Sequence, residues 1–375
     1  MNRFILIVCF MGSALASGAQ VNTGYVLKEP AGIYNPSSET LTTEMIARQI
    51  SLQNHSEKDK LFAIHAWVTT NIRYDTDSMY TINSEKYPEA RITAALRRGK
   101  GVCENFAAIF CDISSKCGIP CQVISGYTKQ LGSIDKSGHS WCSVYLQNDW
   151  FFCDPTWDEG SGMNYRWFLV EPSTFIESHM PFDPLWQLLP YRISHKDFID
   201  GRTGATRDKP VISFRDSVQA YLQSNRLQQL ESSIERLENA GIANELIKNR
   251  ASYLRMQAGI IHEEKDMILY NNAVADFNKA NDLMNEFILL RNNRFIPGRE
   301  EKSIFEIFNQ ASMYVSNANQ KLDSLLVSPS NYQYDPEVLK HRLSALSQKI
   351  SDQLNFTKKY FASGLAEKEK LFLAQ

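Results

Sequence analysis

Tryptophan and cysteine are confined to one half of this chain. All six Trp and all seven Cys of the 375 residues lie before residue 187, and the remainder is built on aliphatic residues three and four apart. The second pattern has one economical solution, an amphipathic helix that buries its stripe against another helix. Leu227, Leu230, Ile234 and Leu237 open it and Gly241 closes the first helix. Ala273, Val274, Phe277, Ala280, Met284, Phe287 and Leu290 continue it, and Pro297-Gly298 breaks it. Ile304 to Leu325 carry the next helix, and Asp335-Pro336-Glu337, an N-cap followed by proline, starts another through Leu343, Leu346 and Ile350. Short breaks favour antiparallel neighbours in a bundle. Degenerate tetratricopeptide-type repeats are the alternative, although no 34-residue signature recurs.

The first half reads differently. Ser56-Glu57-Lys58-Asp59 resembles a capping box, and Leu61, Ile64, Val68 and Ile72 follow at helical spacing. A second helix is expected from about Val102 to Lys116, ending at Gly118-Ile119-Pro120. Cys121–Tyr127, Ser140–Leu146 and Trp150–Asp154 have strand length and composition. Helices followed by antiparallel-type strands make an α+β layout. Residues 191–211 are the expected connection to the helical half.

Charge excludes one class of partner. Forty basic against 42 acidic residues leave a net charge of −2, so no basic field points to nucleic acid. Met1-Asn2-Arg3, the apolar run Phe4 to Met11 and small residues around Ala16 and Ala19 are the pattern of a cleaved secretory leader. The expectation is an exported protein, periplasmic or secreted, with no stable membrane insertion. The organisation expected is a signal peptide (1–19), an N-terminal lead-in (20–55), a catalytic domain (56–205) and a C-terminal helical bundle (206–375).

Three blocks carry chemistry: Gly101-Val102-Cys103-Glu104-Asn105, Gly138-His139-Ser140-Trp141 and Cys153-Asp154-Pro155-Thr156-Trp157-Asp158. A free thiol, with a pKa of about 8.5, is mostly protonated at neutral pH, and a helix N-terminus or an imidazolium favours the nucleophilic thiolate. Gly99 and Gly101 permit the turn that places Cys103 at a helix start, where backbone amides also face an oxyanion. His139 on one strand would be the base, and Asp154 on the next would orient it.

These blocks resemble the transglutaminase-like superfamily, relatives of the papain-like cysteine peptidases. Trp67 to Asp75 is similar to the segment before the nucleophile, and Gly118 to Tyr127 to the helix end and first strand after it. Phe168 to Pro172, Phe175-Ile176, His179-Met180-Pro181 and Trp186 to Leu189 resemble the tail of the kyphoscoliosis-peptidase-like branch. The resemblance covers about residues 57–190. It implies an α+β transglutaminase-like or papain-like core, its nucleophile helix packed on an antiparallel sheet; the all-α helical bundle expected after it is read from the aliphatic spacing, and residues 191–375 lie outside the resemblance. It implies Cys103 as nucleophile, His139 as base and Asp154 as orienter. No acidic loop has EF-hand spacing and no Cys/His spacing fits a zinc site, so no cofactor and no metal are expected.

The expected function is a thiol enzyme acting on peptide or glutamine-type amides through a thioester, with hydrolysis favoured over transamidation. The substrate would be a protein or peptide, and the helical half could hold a protein partner. The alternative is an inactive binding or scaffold protein whose helices contact a protein or glycan. Several residues rank lower. Cys117 and Cys121 could pair, but Cys121 is expected to face the core out of reach. His179 reads as structural or site-rim and His195 as isolated. Asp158 reads as a loop charge that could rim the site. Asn54 and Asn355 sit in glycosylation-type triplets.

Overall fold

The computed structural model describes residues 41–78, 88–204, 213–296, 298–326 and 335–373. The expected leader, the start of the lead-in and Pro297 lie outside them. The described residues form two compact units: those up to Cys121 together with Pro155–Phe168, and Gln122–Asp154 together with the chain from Leu169 onward.

The first unit is built on helices. Helix α1 (Thr43–Gln53) is capped by the Thr42 hydroxyl and buries Ile46, Ala47 and Ile50. Helix α2 (Glu57–Asn71) starts at Ser56, whose side chain accepts from the Asp59 amide, the cap expected from the sequence. Its residues Leu61 to Thr69 are all buried, so α2 is covered on every face. Strand β1 (Arg73–Tyr74) pairs in parallel with β2 (Lys100–Gly101), on either side of helix α3 (Pro88–Arg98). Helix α4 (Cys103–Lys116) buries Phe106, Ile109, Phe110 and Ile113. It ends at Gly118, in the left-handed region at φ +82°, with the Gly118 and Ile119 amides bonded back to Ser115 and Ser114.

Cys121 does not pair with Cys117, as expected. It is bonded to Cys111, one helical turn and a half before Cys117, in a disulfide. Cys117 instead turns toward α1, where its sulfur meets Ala47 O and Ser51 Oγ. Asp158 departs from the reading as a loop charge. It is 1% exposed and accepts from the Arg166 and Trp167 amides and from His65 Nε2, which pins the Pro155–Phe168 segment to α2.

The second unit contains a four-stranded sheet of order β5-β4-β3-β6. Its strands are β3 (Cys121–Gln130, its first residue lying in the other unit), β4 (Ser133–Leu146), β5 (Asp149–Cys153) and β6 (His179–Pro181). Strand β4 begins well before Ser140. Leu131-Gly132 and Gln147-Asn148 both have positive φ, so each hairpin closes through a two-residue turn whose twist matches the strands. Helices α5 (Pro172–Phe175) and α6 (His195–Ile199) follow, the latter within the stretch read as a connection.

The long helices are α7 (Phe214–Gln223), α8 (Arg226–Ala240), α9 (Glu245–Asn292), α10 (Glu301–Asp323), α11 (Pro336–Ala362) and α12 (Leu365–Leu373). At about 1.5 Å per residue, the 48 residues of α9 extend about 72 Å. One core joins Tyr127, Met180 and Phe198 to Leu227, Leu230, Ala251 and Leu254. Another joins Met284 and Phe287 of α9 to Phe308 of α10 and Leu343 of α11. The described residues therefore have the expected α+β layout, helices and an antiparallel sheet followed by a helical region. Among the described residues no helix is long and apolar enough to cross a membrane.

Gly126 is where the sheet demands glycine. A Cβ there would lie 2.2 Å from Met180 O and 2.4 Å from the Trp141 ring. Gly126→Ala should cost about 1–3 kcal/mol by overpacking, seen as a lower urea midpoint. An unchanged midpoint would refute this close packing.

Candidate active site

Cys103 is the first residue of α4, and the backbone before it explains why the helix starts there. Gly99 takes φ +61°, as expected of a turn glycine. Gly101 serves otherwise: its amide plane lies in the β1–β2 pair, and a Cβ on it would meet Asn105 Cβ at 2.6 Å. Its bare Cα leaves room for the buried Asn105 side chain, whose Oδ1 accepts from the Val102 amide at 3.0 Å. Val102 has no side-chain oxygen to cap the helix, so Asn105 folds back to do part of that work. Cys103 is partly exposed and not in a disulfide.

His139 comes from β4, and Asp154 is the residue that follows β5. Cys142 and Cys153 are directly opposed in that antiparallel pair, so continuing the register sets Asp154 opposite Trp141. His139, two residues from Trp141, shares its face. The hydrogen bond follows: His139 Nε2 to Asp154 Oδ2 at 2.6 Å. The expected base and orienter are thus brought together within one unit.

The same oxygen has a second partner. His179, the first residue of β6, places Nε2 3.2 Å from Asp154 Oδ2, and its Nδ1 is 2.7 Å from Ser178 Oγ. Phe175 stacks on the His179 ring at 3.9 Å, and Trp141 meets it edge-on at 5.3 Å. His179 and Asp154 are fully buried, whereas the His139 side chain is 10% exposed. His179 is therefore part of the site rather than its rim. The sequence offered only a histidine beside an apolar cluster, with nothing to say that β6 would carry it to Asp154.

Electrostatics assign the protons. Burial alone would raise the Asp154 pKa, but the imidazoles of His139 and His179 outweigh it and hold the carboxyl well below the usual range. Burial pushes His179 down to about 4 against the opposing pull of Asp154. At neutral pH Asp154 is ionised and His179 neutral. An ionised carboxylate only accepts, so both Nε2 atoms donate, Ser178 donates to His179 Nδ1, and the basic nitrogen of neutral His139 is Nδ1. Cys142, next to Trp141, is the wrong thiol for nucleophilic work: burial, with Cys153 and Asp154 adding, pushes its pKa well up.

Two other buried histidines do different work. His65 is enclosed by Phe110, Tyr165 and Phe168 and bonds Asp158. His195, read as isolated, bonds the Tyr127 hydroxyl through Nδ1 at 3.0 Å, and burial lowers its pKa to about 4. His139, Asp154 and His179 also have the spacing of a cation-binding group.

A helix that starts at a cysteine is thus followed in the chain by an antiparallel sheet that pairs a histidine with an aspartate. Residues 44–155 match the family model of the transglutaminase-like superfamily. Cys103, His139 and Asp154 fall inside the match and His179 beyond it. Kyphoscoliosis peptidase of Mus musculus and that of Homo sapiens are each 31% identical over 153 residues, 36% of this chain and 22% of theirs, which agrees with the branch the tail segments resemble. The LIM and transglutaminase domain protein ltd-1 of Caenorhabditis elegans is 24% identical over 197 residues, 45% of this chain and 26% of its own. The chain thus spans about a quarter of the length of these relatives.

The lowered histidines set a pH dependence. His179 and His195 titrate near 4 when folded and near about 6.5 when unfolded. Between those values the unfolded chain binds more protons. Their contribution is complete above about pH 6.5 and is lost as pH falls toward 4. Urea midpoints at pH 7, 5.5 and 4.5 should fall in that order, and His195→Phe should flatten the trend. A wild-type midpoint independent of pH over this window would exclude the neutral buried state of both rings.

Proposed function

We propose that this protein is an exported thiol hydrolase that cleaves peptide or glutamine-type amides through a thioester. The His139–Asp154 hydrogen bond carries the reading: an ionised, buried carboxylate fixes one imidazole tautomer and leaves Nδ1 basic. Cys103, at the first position of α4, is the nucleophile, since a helix N-terminus favours developing negative charge. His139 Nδ1 takes the thiol proton, sulfur adds to the carbonyl carbon, and the carbonyl electrons move to oxygen. The Cys103 amide is one donor for that oxyanion. Collapse expels the amine, which leaves with the proton from His139. Water, deprotonated by His139, then opens the thioester and releases the acid and the free thiol. Asp154 stays ionised and stabilises the imidazolium throughout. His179 is a positioning residue, holding Asp154 Oδ2 through its own Nε2.

Hydrolysis is favoured over transamidation because no residue pattern specifies an acceptor-amine site. The relatives named as peptidases agree with this choice. Export is supported by the apolar run Phe4 to Met11 and by the Cys111–Cys121 disulfide, a bond that persists in oxidising compartments.

Cys103→Ala should lower kcat/KM on fluorogenic peptide amides by about ten-thousand-fold, and Asp154→Asn by about a hundred- to ten-thousand-fold, with both variants folded by circular dichroism. Cleavage by Cys103→Ala at the wild-type rate would refute the assignment. Iodoacetamide labelling of the native protein should reach Cys103 before Cys117, Cys142 and Cys153. Incorporation of a dansyl amine into a glutamine peptide, faster than hydrolysis of the same peptide, would replace the hydrolase reading with a transferase one.

A further inference from the structure

We propose that His139, Asp154 and His179 form a binding site for a zinc-class divalent cation, and that occupation of this site switches the enzyme off. The binding half stands on the geometry of these three residues, and the inhibitory half rests on the role proposed above for His139.

The donor set is two imidazole nitrogens and one carboxylate oxygen, the combination that borderline cations such as zinc prefer over magnesium or calcium. Their ligating atoms all lie within 4.8 Å of one another. Zinc bonds of about 2.0–2.1 Å at tetrahedral angles put neighbouring donor atoms about 3.3 Å apart. The His179 Nε2 to Asp154 Oδ2 distance is already 3.2 Å. The His139 Nε2 to Asp154 Oδ2 distance is 2.6 Å, so this edge must lengthen by about 0.7 Å. That adjustment falls on His139, the one ring of the pair that reaches the surface. The same exposure gives the cation an entry path.

The outer partners suit both states. With the cation absent, His179 donates from Nε2 and accepts at Nδ1 from Ser178. When Nε2 binds a cation, the ring carries its proton on Nδ1, and Ser178 Oγ, 2.7 Å away, accepts it. A hydroxyl serves either direction, so the exchange leaves no unpaired polar atom on that side. The walls are Phe175 and Trp141, which keep the cation–ligand pairs in a low-dielectric setting. Coordination takes His139 Nε2 and Asp154 out of the hydrogen bond on which the orientation of the base depends, and inhibition follows.

The test is calorimetric titration of the metal-free full chain with zinc chloride, beside His139→Gln and His179→Gln, in which the amide can still donate to Asp154. One saturable site per chain is expected, weakened at least tenfold in each variant and not displaced by a hundredfold excess of magnesium. Cobalt substituted for zinc should show tetrahedral visible bands without a thiolate charge-transfer band, which separates this site from the cysteines. No saturable binding, binding unchanged in both variants, or a thiolate band would overturn the proposal. If His179→Gln does not fold, His139→Gln decides. Amide hydrolysis should fall over the same zinc concentrations and return with EDTA, and full activity at saturating zinc would overturn the inhibitory half. Zinc binding by a chain that cleaves no amide would sustain the cation site and sink the hydrolase reading. Cleavage without zinc binding would do the reverse.

Discussion

A buried negative charge organises the second unit. Asp154 is fully enclosed, and an unpaired carboxylate in an apolar interior would neutralise itself by taking up a proton. It stays ionised because two imidazoles donate to one oxygen, and that condition reaches far into the sequence. It needs β4 and β5 in the register that sets Cys142 against Cys153, and the short Gln147-Asn148 turn holds that register. It needs β6 beside β3, where Gly126 lets the Trp141 ring and the Met180 carbonyl approach. It needs Phe175 against the His179 ring to keep that imidazole neutral and dry.

The chain holds a second buried His–Asp pair, and the two differ in access and in backbone obligations. Asp158 commits its oxygens to the Arg166 and Trp167 amides as well as to His65, and His65 has no exposed surface. That pair closes a loop onto α2 and offers a reactant nothing. The His139 side chain keeps a tenth of its surface open. Residue types are the same in the two pairs and the hydrogen bonds similar, 2.9 and 2.6 Å. Access to the ring and the carboxylate's backbone obligations decide between them, and neither is visible in a string of letters.

That distinction explains what could be read in advance. The start of α2 at Ser56, the end of α4 at Gly118 and the aliphatic stripes of the long helices rest on local chemistry, so short motifs announce them. His139 and Asp154 could be matched because adjacent strands have a fixed geometry. Leu131-Gly132 hid the first half of β4, since leucine is an unusual residue for a left-handed position and the strand beyond it is polar. The Cys111–Cys121 disulfide and the Asp158 clamp depend on which face of α4 or α2 meets a distant segment. His179 was the hardest residue to place, because its role exists only once a three-residue edge strand has docked.

That docking gives the helices after the sheet a mechanical role in placing His179. A three-residue strand at a sheet edge has too few ladder bonds to hold itself. The core that covers β6 is completed by Leu227, Leu230 and Leu237 of α8 and by Ala251 and Leu254 of α9, packed with Met180 and Phe182. Arg236 of α8 grips Asp183, two residues beyond β6, through two hydrogen bonds of 2.7 and 2.8 Å, a planar bidentate pairing that fixes direction as well as distance. Gln187 then exchanges two hydrogen bonds with the Ile193 backbone and ties down the segment that follows. Each of these contacts acts on the strand that carries His179. The helices therefore set how firmly Asp154 is held and, through Asp154, the orientation of His139.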